Sequence, residues 1–162
     1  MKLAMSEQKN IELWLQTCLR FFASDDLSLV SFSSSTISGM PNYTLERWQL
    51  AVDMIYRCVV SGLLEFTYPN YRDDHDAFFQ AIRTRSPFDE SGGVLWNWEQ
   101  FYGTDKLVAL VNGHFPDAAV ASHDAVDPAF IQELKDIFAE HNVPWSDAPL
   151  LPIITNDHSA GA

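Results

Sequence analysis

The polar residues of this chain that could do chemistry are few and scattered. The densest run is Asp73-Asp74-His75-Asp76. Histidine among carboxylates is the raw material of a metal site or an acid–base pair. The spacing works against both, because adjacent residues on a helix point to different faces. The run reads better as an acidic first helical turn, where carboxylates complement the dipole. His114, His123 and Asp124 could offer metal ligands, but the interval is long and Pro116 interrupts it. A cysteine nucleophile needs an exposed thiolate beside a base. Cys18 and Cys58 instead lie among apolar neighbours at helical spacing, the pattern of buried thiols. Two cysteines make no disulfide framework either. Gly92-Gly93 follows Asp89-Glu90, the wrong charge for a phosphate cradle. The sequence holds no G-x-S-x-G, Walker loop, dinucleotide fingerprint or H-E-x-x-H. The expectation is a chain with no catalytic centre, no metal site and no cofactor.

The unusual stretch is Val94-Leu95-Trp96-Asn97-Trp98-Glu99-Gln100-Phe101-Tyr102-Gly103. Four aromatic residues crowd together beside Asp89, Glu90 and Glu99. One reading is a strand or turn that packs into the core. The other is a recognition surface, on which rings supply binding area and acids select a basic partner.

Helices must position these residues. Ser6 is placed to cap a first helix reaching about Ala23, with Ile11, Trp14, Leu15, Cys18, Leu19 and Phe22 on one face. Residues 24–41 read as a short extended or helical piece followed by a serine-rich loop. Thr44 caps a second helix that ends near Ser61, with Gly62 as its stop. Leu63 to Tyr68 can form a short extended segment. Asp73 or Asp74 opens a third helix through about Thr84. Phe88 to Gly93 reads as a turn-rich acidic loop. A fourth helix runs from a Thr104 cap to about Asn112. Asp127-Pro128 starts the last one, since aspartate caps and proline suits the first helical position. It ends near His141, before Asn142 and Pro144. The remainder lies over the domain. The fold predicted is mainly α: a single compact domain over residues 1–162, about five helices with irregular connections and one short extended segment. Residues 153–162 are expected to fray as a C-terminal tail.

Composition limits the partners. The chain has 162 residues, enough for one domain with a real core. It carries 22 acids against 10 bases, a net charge of −12. The excess is uneven. Residues 1–85 hold 10 acids and 8 bases, whereas residues 86–162 hold 12 acids and only Lys106 and Lys135. Such a field repels nucleic acid and anionic lipid and attracts basic partners. It also serves plain solubility. No apolar run approaches the roughly 20 residues that span a bilayer. No secretory h-region opens the chain, so a cytoplasmic location is expected.

Small size, one acidic domain and the lack of a catalytic motif give a profile over the whole chain. By that profile it resembles the bacterial immunity proteins of contact-dependent growth inhibition systems. The resemblance implies a non-enzymatic inhibitor that binds a cognate protein toxin one to one and covers or distorts its active site. A nuclease-type toxin must be basic, and an acidic inhibitor would associate with it fast. The partner-binding residues expected on this basis are Asp89, Glu90, Glu99, Asp105, Asp117 and Asp124, with Trp96 and Trp98 as anchors. A helical adaptor or regulatory subunit would show the same features. A small enzyme would instead need a cleft holding His75, His114 or His123 beside a carboxylate.

Overall fold

The computed structural model describes residues 4–116 and 125–155. In chain order the elements are α1 (Met5–Phe22), β1 (Leu27–Ser28), α2 (Val30–Ser34), α3 (Leu45–Val60) and β2 (Leu64–Phe66). A 3-10 turn at Pro69–Tyr71 leads to α4 (His75–Ile82), α5 (Glu90–Trp98) and β3 (Gln100–Gly103). α6 (Asp105–His114) and α7 (Pro128–Glu140) follow. The mainly α expectation holds. The five helices read from the sequence are α1, α3, α4, α6 and α7. α2, a turn and a half long, and β1 fall in the piece read as extended or helical; α5 is the addition and replaces the acidic loop expected over Phe88–Gly93.

Most helix starts follow the local chemistry. Thr44 accepts a hydrogen bond from the Arg47 N–H, and Asp74 accepts one from the Ala77 N–H. Thr104 accepts from the Leu107 N–H. Asp127 Oδ1 accepts from both the Ala129 and Phe130 N–H groups. Each satisfies donors that the first turn leaves unpaired. Ser6 does not cap α1. Ala4 holds that place, and the Glu7 carboxylate reaches back to the Ala4 N–H at 3.0 Å. Gly62 ends α3 with φ at +74°, a conformation that needs no Cβ penalty only for glycine.

Three short strands form one antiparallel sheet in the order β1-β3-β2. Leu27 stands opposite Phe101, and Phe66 also pairs with Phe101. The single extended segment of the sequence reading is β2. β3, the central strand, comes from the aromatic stretch. Phe101 is buried there against Phe66 and Phe78, while Tyr102 turns outward. α1 lies against β3, α6 and α7, and α4 packs between α3 and α5.

The chain after α7 runs back over α3 and is fastened by polar side chains. Arg57 donates through Nε and Nη2 to the Pro144 carbonyl at 3.2 and 2.9 Å. Asp53 Oδ1 accepts from the Leu151 N–H at 3.0 Å. Gln49 donates to the Leu151 carbonyl and accepts from the Ile153 N–H. Arg83 adds a bond from its Nε to the Pro152 carbonyl, and its own carbonyl receives the Ile154 N–H. Ile153 and Ile154 are thus tied to α3 and to the end of α4, and the expected tail beyond residue 155 lies outside the described residues.

Candidate functional site

α5 is where the acidic and aromatic residues meet. Asp89 starts it, with Oδ1 accepting from the Ser91 N–H at 2.8 Å and from the Ser91 hydroxyl. The serine hydrogen bond, stronger than the small opposing desolvation, holds the Asp89 carboxyl below its usual range. Gly92 allows the helix to lie against the preceding chain. A Cβ there would fall 1.9 Å from the Ser86 carbonyl oxygen. Trp96, fully buried, locks the same contact by donating from Nε1 to the Arg85 carbonyl at 2.8 Å.

With one face of α5 fixed inward, its spacing puts Glu90, Val94 and Trp98 outward at four-residue intervals, one stripe on one side. Val94 is 73% exposed and Trp98 72% exposed. A large ring and a branched aliphatic side chain left so open on one helix are the usual marks of a contact surface. The stripe borders a surface depression of about 760 Å³, lined by Glu90 and Trp98 together with Asn70, Tyr71, Arg85 and Glu99.

Glu99 differs from the other acids of this region. It is only 5% exposed, and its Oε2 is buried without a hydrogen-bond partner. Desolvation raises its carboxyl above the ordinary value, and a hydrogen bond from the Asn70 side chain partly offsets this. Arg85 lines the same depression but forms no ion pair with Glu90 or Glu99; the ion pairs among the described residues involve other side chains.

The structure therefore separates the residues expected to bind a partner. Glu90, Trp98 and Glu99 come together at the depression, with Asp89 beside them. Trp96 is a correction: it is a core residue and offers no ring to the surface. Asp105 is exposed in the first turn of α6 and does not line the depression. Asp117 and Asp124 lie outside the described residues. Sequence reasoning missed Asn70, Tyr71 and Arg85. They reach the site from the 3-10 turn and the α4–α5 connection, and no local motif marks them.

The other polar groups are dispersed. Asp74 is a helix cap, and the His75 ring lies 5.2 Å from that of Phe66, with Nε2 3.9 Å from Glu65. His114 pairs with Glu133 at 2.6 Å and ties α6 to α7. His141 ends α7, its Nδ1 2.9 Å from the Ile137 carbonyl and its Nε2 3.4 Å from Lys106 Nζ. His123 lies outside the described residues. Both cysteines are buried, and desolvation pushes the Cys18 thiol up to about 11 and the Cys58 thiol upward as well. Among the described residues no three His, Cys, Asp or Glu side chains converge as a metal site would require. No helix among them is long and apolar enough to cross a membrane.

A groove of about 700 Å³ between α1 and α2 is more apolar, with Leu13, Phe21, Leu27 and Val30 in its lining and no charged side chain. Arg47 is buried behind its wall. Its guanidinium carbon sits 4.5 Å from the centre of the Trp14 ring, and Nη2 donates to the Ser35 carbonyl. Burial lowers this guanidinium to about 10, slightly offset by the proximity of Cys18.

Comparisons with protein-family models, with curated proteins and with solved structures each found no match to this chain.

Proposed function

We propose that this chain is an acidic immunity-type inhibitor: it binds a basic, nuclease-type toxin domain and neutralises it. The α5 face supplies the contact. The observation that carries the proposal is the Glu90–Val94–Trp98 stripe, in which an exposed tryptophan and valine share one helix face with an acid. Trp98 acts as the anchor, because a large exposed ring gains most from burial at an interface. Asp89 and Glu90 sit at its edge, where charges govern encounter rate more than residence time. The net charge of −12 steers a cationic partner from a distance.

The test is co-expression with the product of the adjacent upstream reading frame, scored by survival and co-purification. The proposal expects the neighbour to kill alone, and this chain to rescue the cells and purify with it. A harmless neighbour that forms no complex would sink the proposal. Given a complex, Asp89→Lys with Glu90→Lys should slow association about tenfold or more and flatten its salt dependence. An unchanged rate and salt slope would remove these two acids from the contact.

A further inference from the structure

Resting on the inhibitor reading, we infer that the depression beside α5 is a socket for one arginine side chain of the partner, with Glu99 at its base and Trp98 as its wall.

The argument begins with an unfilled requirement. A carboxylate oxygen removed from water without a donor is costly, and folded chains supply a donor unless something else is meant to. Glu99 Oε2 has none, although Glu99 is 5% exposed and lines an open depression. The Asn70 side chain lies close enough to ease the desolvation of this carboxylate but does not satisfy that oxygen. The lining side chains carry two carboxylates, Glu90 and Glu99, against the single guanidinium of Arg85. Arg85 makes no ion pair with either. The socket therefore keeps one negative charge uncompensated, and exposed Asp89 adds another at its edge.

Aromatic faces decide which cation fits. Trp98 and Tyr71 both line the space, and tryptophan is the best partner for a cation over its ring. A guanidinium can stack on such a face and donate in its own plane to a carboxylate at the same time. It is also more weakly hydrated than an ammonium, so it loses less on entering a half-dry site. Lysine offers a point charge and no stacking plane. Val94, exposed next to Trp98, covers the aliphatic stem.

The test uses the purified full chain and three capped tripeptides: Gly-Arg-Gly, Gly-Lys-Gly and Gly-citrulline-Gly. Citrulline keeps the shape of arginine and removes its charge. The reporter is the Trp98 indole N–H resonance, assigned by its disappearance in Trp98→Phe. The expected result is a saturable shift with the arginine peptide in the millimolar range, several-fold weaker binding of the lysine peptide, and none with citrulline. Glu99→Gln should weaken the arginine peptide at least about fivefold, and Glu90→Gln less. Both variants must keep the wild-type spectrum elsewhere, which separates lost binding from lost structure. Equal shifts with citrulline, or an unchanged affinity in Glu99→Gln, would overturn the socket. Rescue of cells in the co-expression test without arginine-peptide binding would leave the inhibitor reading standing and remove only the socket. Peptide binding without rescue would keep the socket and remove the toxin as its partner.

Discussion

Two regions of this molecule bury a carboxylate, and they treat it in opposite ways. Along α3, Arg57 and Asp53 lie one helical turn apart and carry the returning C-terminal chain. Arg57 places two donors on the Pro144 carbonyl, and Asp53 accepts from the Leu151 N–H. Burial lowers the Arg57 guanidinium and raises the Asp53 carboxyl, and each charge partly offsets the shift of the other. At the end of α5, Glu99 is buried as deeply, yet one oxygen has no donor. The first region is a closed hydrogen-bond account inside the fold. The second leaves one oxygen unmatched in a residue that lines a depression beside an exposed tryptophan. Polar burial alone therefore does not single out a candidate contact site; here the unmatched oxygen beside an exposed ring is what does. Arg47 sharpens the distinction. Its Nε and Nη1 are also unpartnered, but they sit under the Trp14 ring and behind the groove wall.

The largest effect should come from the closed region. Arg57→Ala removes both donors to Pro144 and leaves Asp53 buried without its countercharge. The expected loss is about 2–3 kcal/mol in urea unfolding, the cost of losing hydrogen bonds from a charged donor and leaving a buried carbonyl unmatched. A loss below about 1 kcal/mol would show that the C-terminal strap contributes little.

Gly92→Ala comes next. Its Cβ would meet the Ser86 carbonyl at 1.9 Å, so α5 must move away from the preceding chain. Overpacking of this kind costs about 1–3 kcal/mol. The same shift should displace Trp98, so partner binding falls together with stability. Retained binding at reduced stability would detach the contact face from the seating of α5.

Glu99→Gln should act in the reverse sense on stability. The folded chain holds the Glu99 carboxyl above its ordinary value because of desolvation. Its contribution to stability is therefore full below the unfolded value and is lost as pH rises through the raised folded value. Replacing the acid by a neutral amide should raise Tm by about 2 °C at pH 7. The gain should shrink as pH falls through the carboxylate range. A lower Tm at pH 7, with the same deficit in acid, would mean that Glu99 is a structural acid like Asp53.

Much of this architecture is legible in the sequence, because α1, α3, α4, α6 and α7 carry apolar faces of helical period. Thr44, Asp74, Thr104 and Asp127 also mark four of their starts. α5 is hidden for a physical reason. Gly92 and Gly93 have poor helix propensity, and local chemistry alone favours a turn there. Close packing on Ser86 overrides that preference, and the surviving local signal is the Asp89 cap on Ser91. The same oversight blurred the site. Without α5 in helical phase, Trp96 and Trp98 look alike, although two residues along a helix place one in the core and the other in solvent. β3 is one of two readings that the aromatic stretch leaves open, because strand pairing is a tertiary property: Phe101 meets Leu27 and Phe66 from distant parts of the chain. Asn70, Tyr71 and Arg85 join the depression through that same long-range packing.

The most direct test is Trp98→Ala, compared with wild type in the survival assay and in thermal unfolding. A side chain 72% exposed should cost no more than about 0.5 kcal/mol of stability when truncated. As the anchor of an interface its loss should weaken the complex by roughly 30-fold or more. The account predicts an intact fold, an unchanged Tm and cells that no longer survive the toxin. Full rescue by a normally folded Trp98→Ala would contradict it and move the contact away from α5.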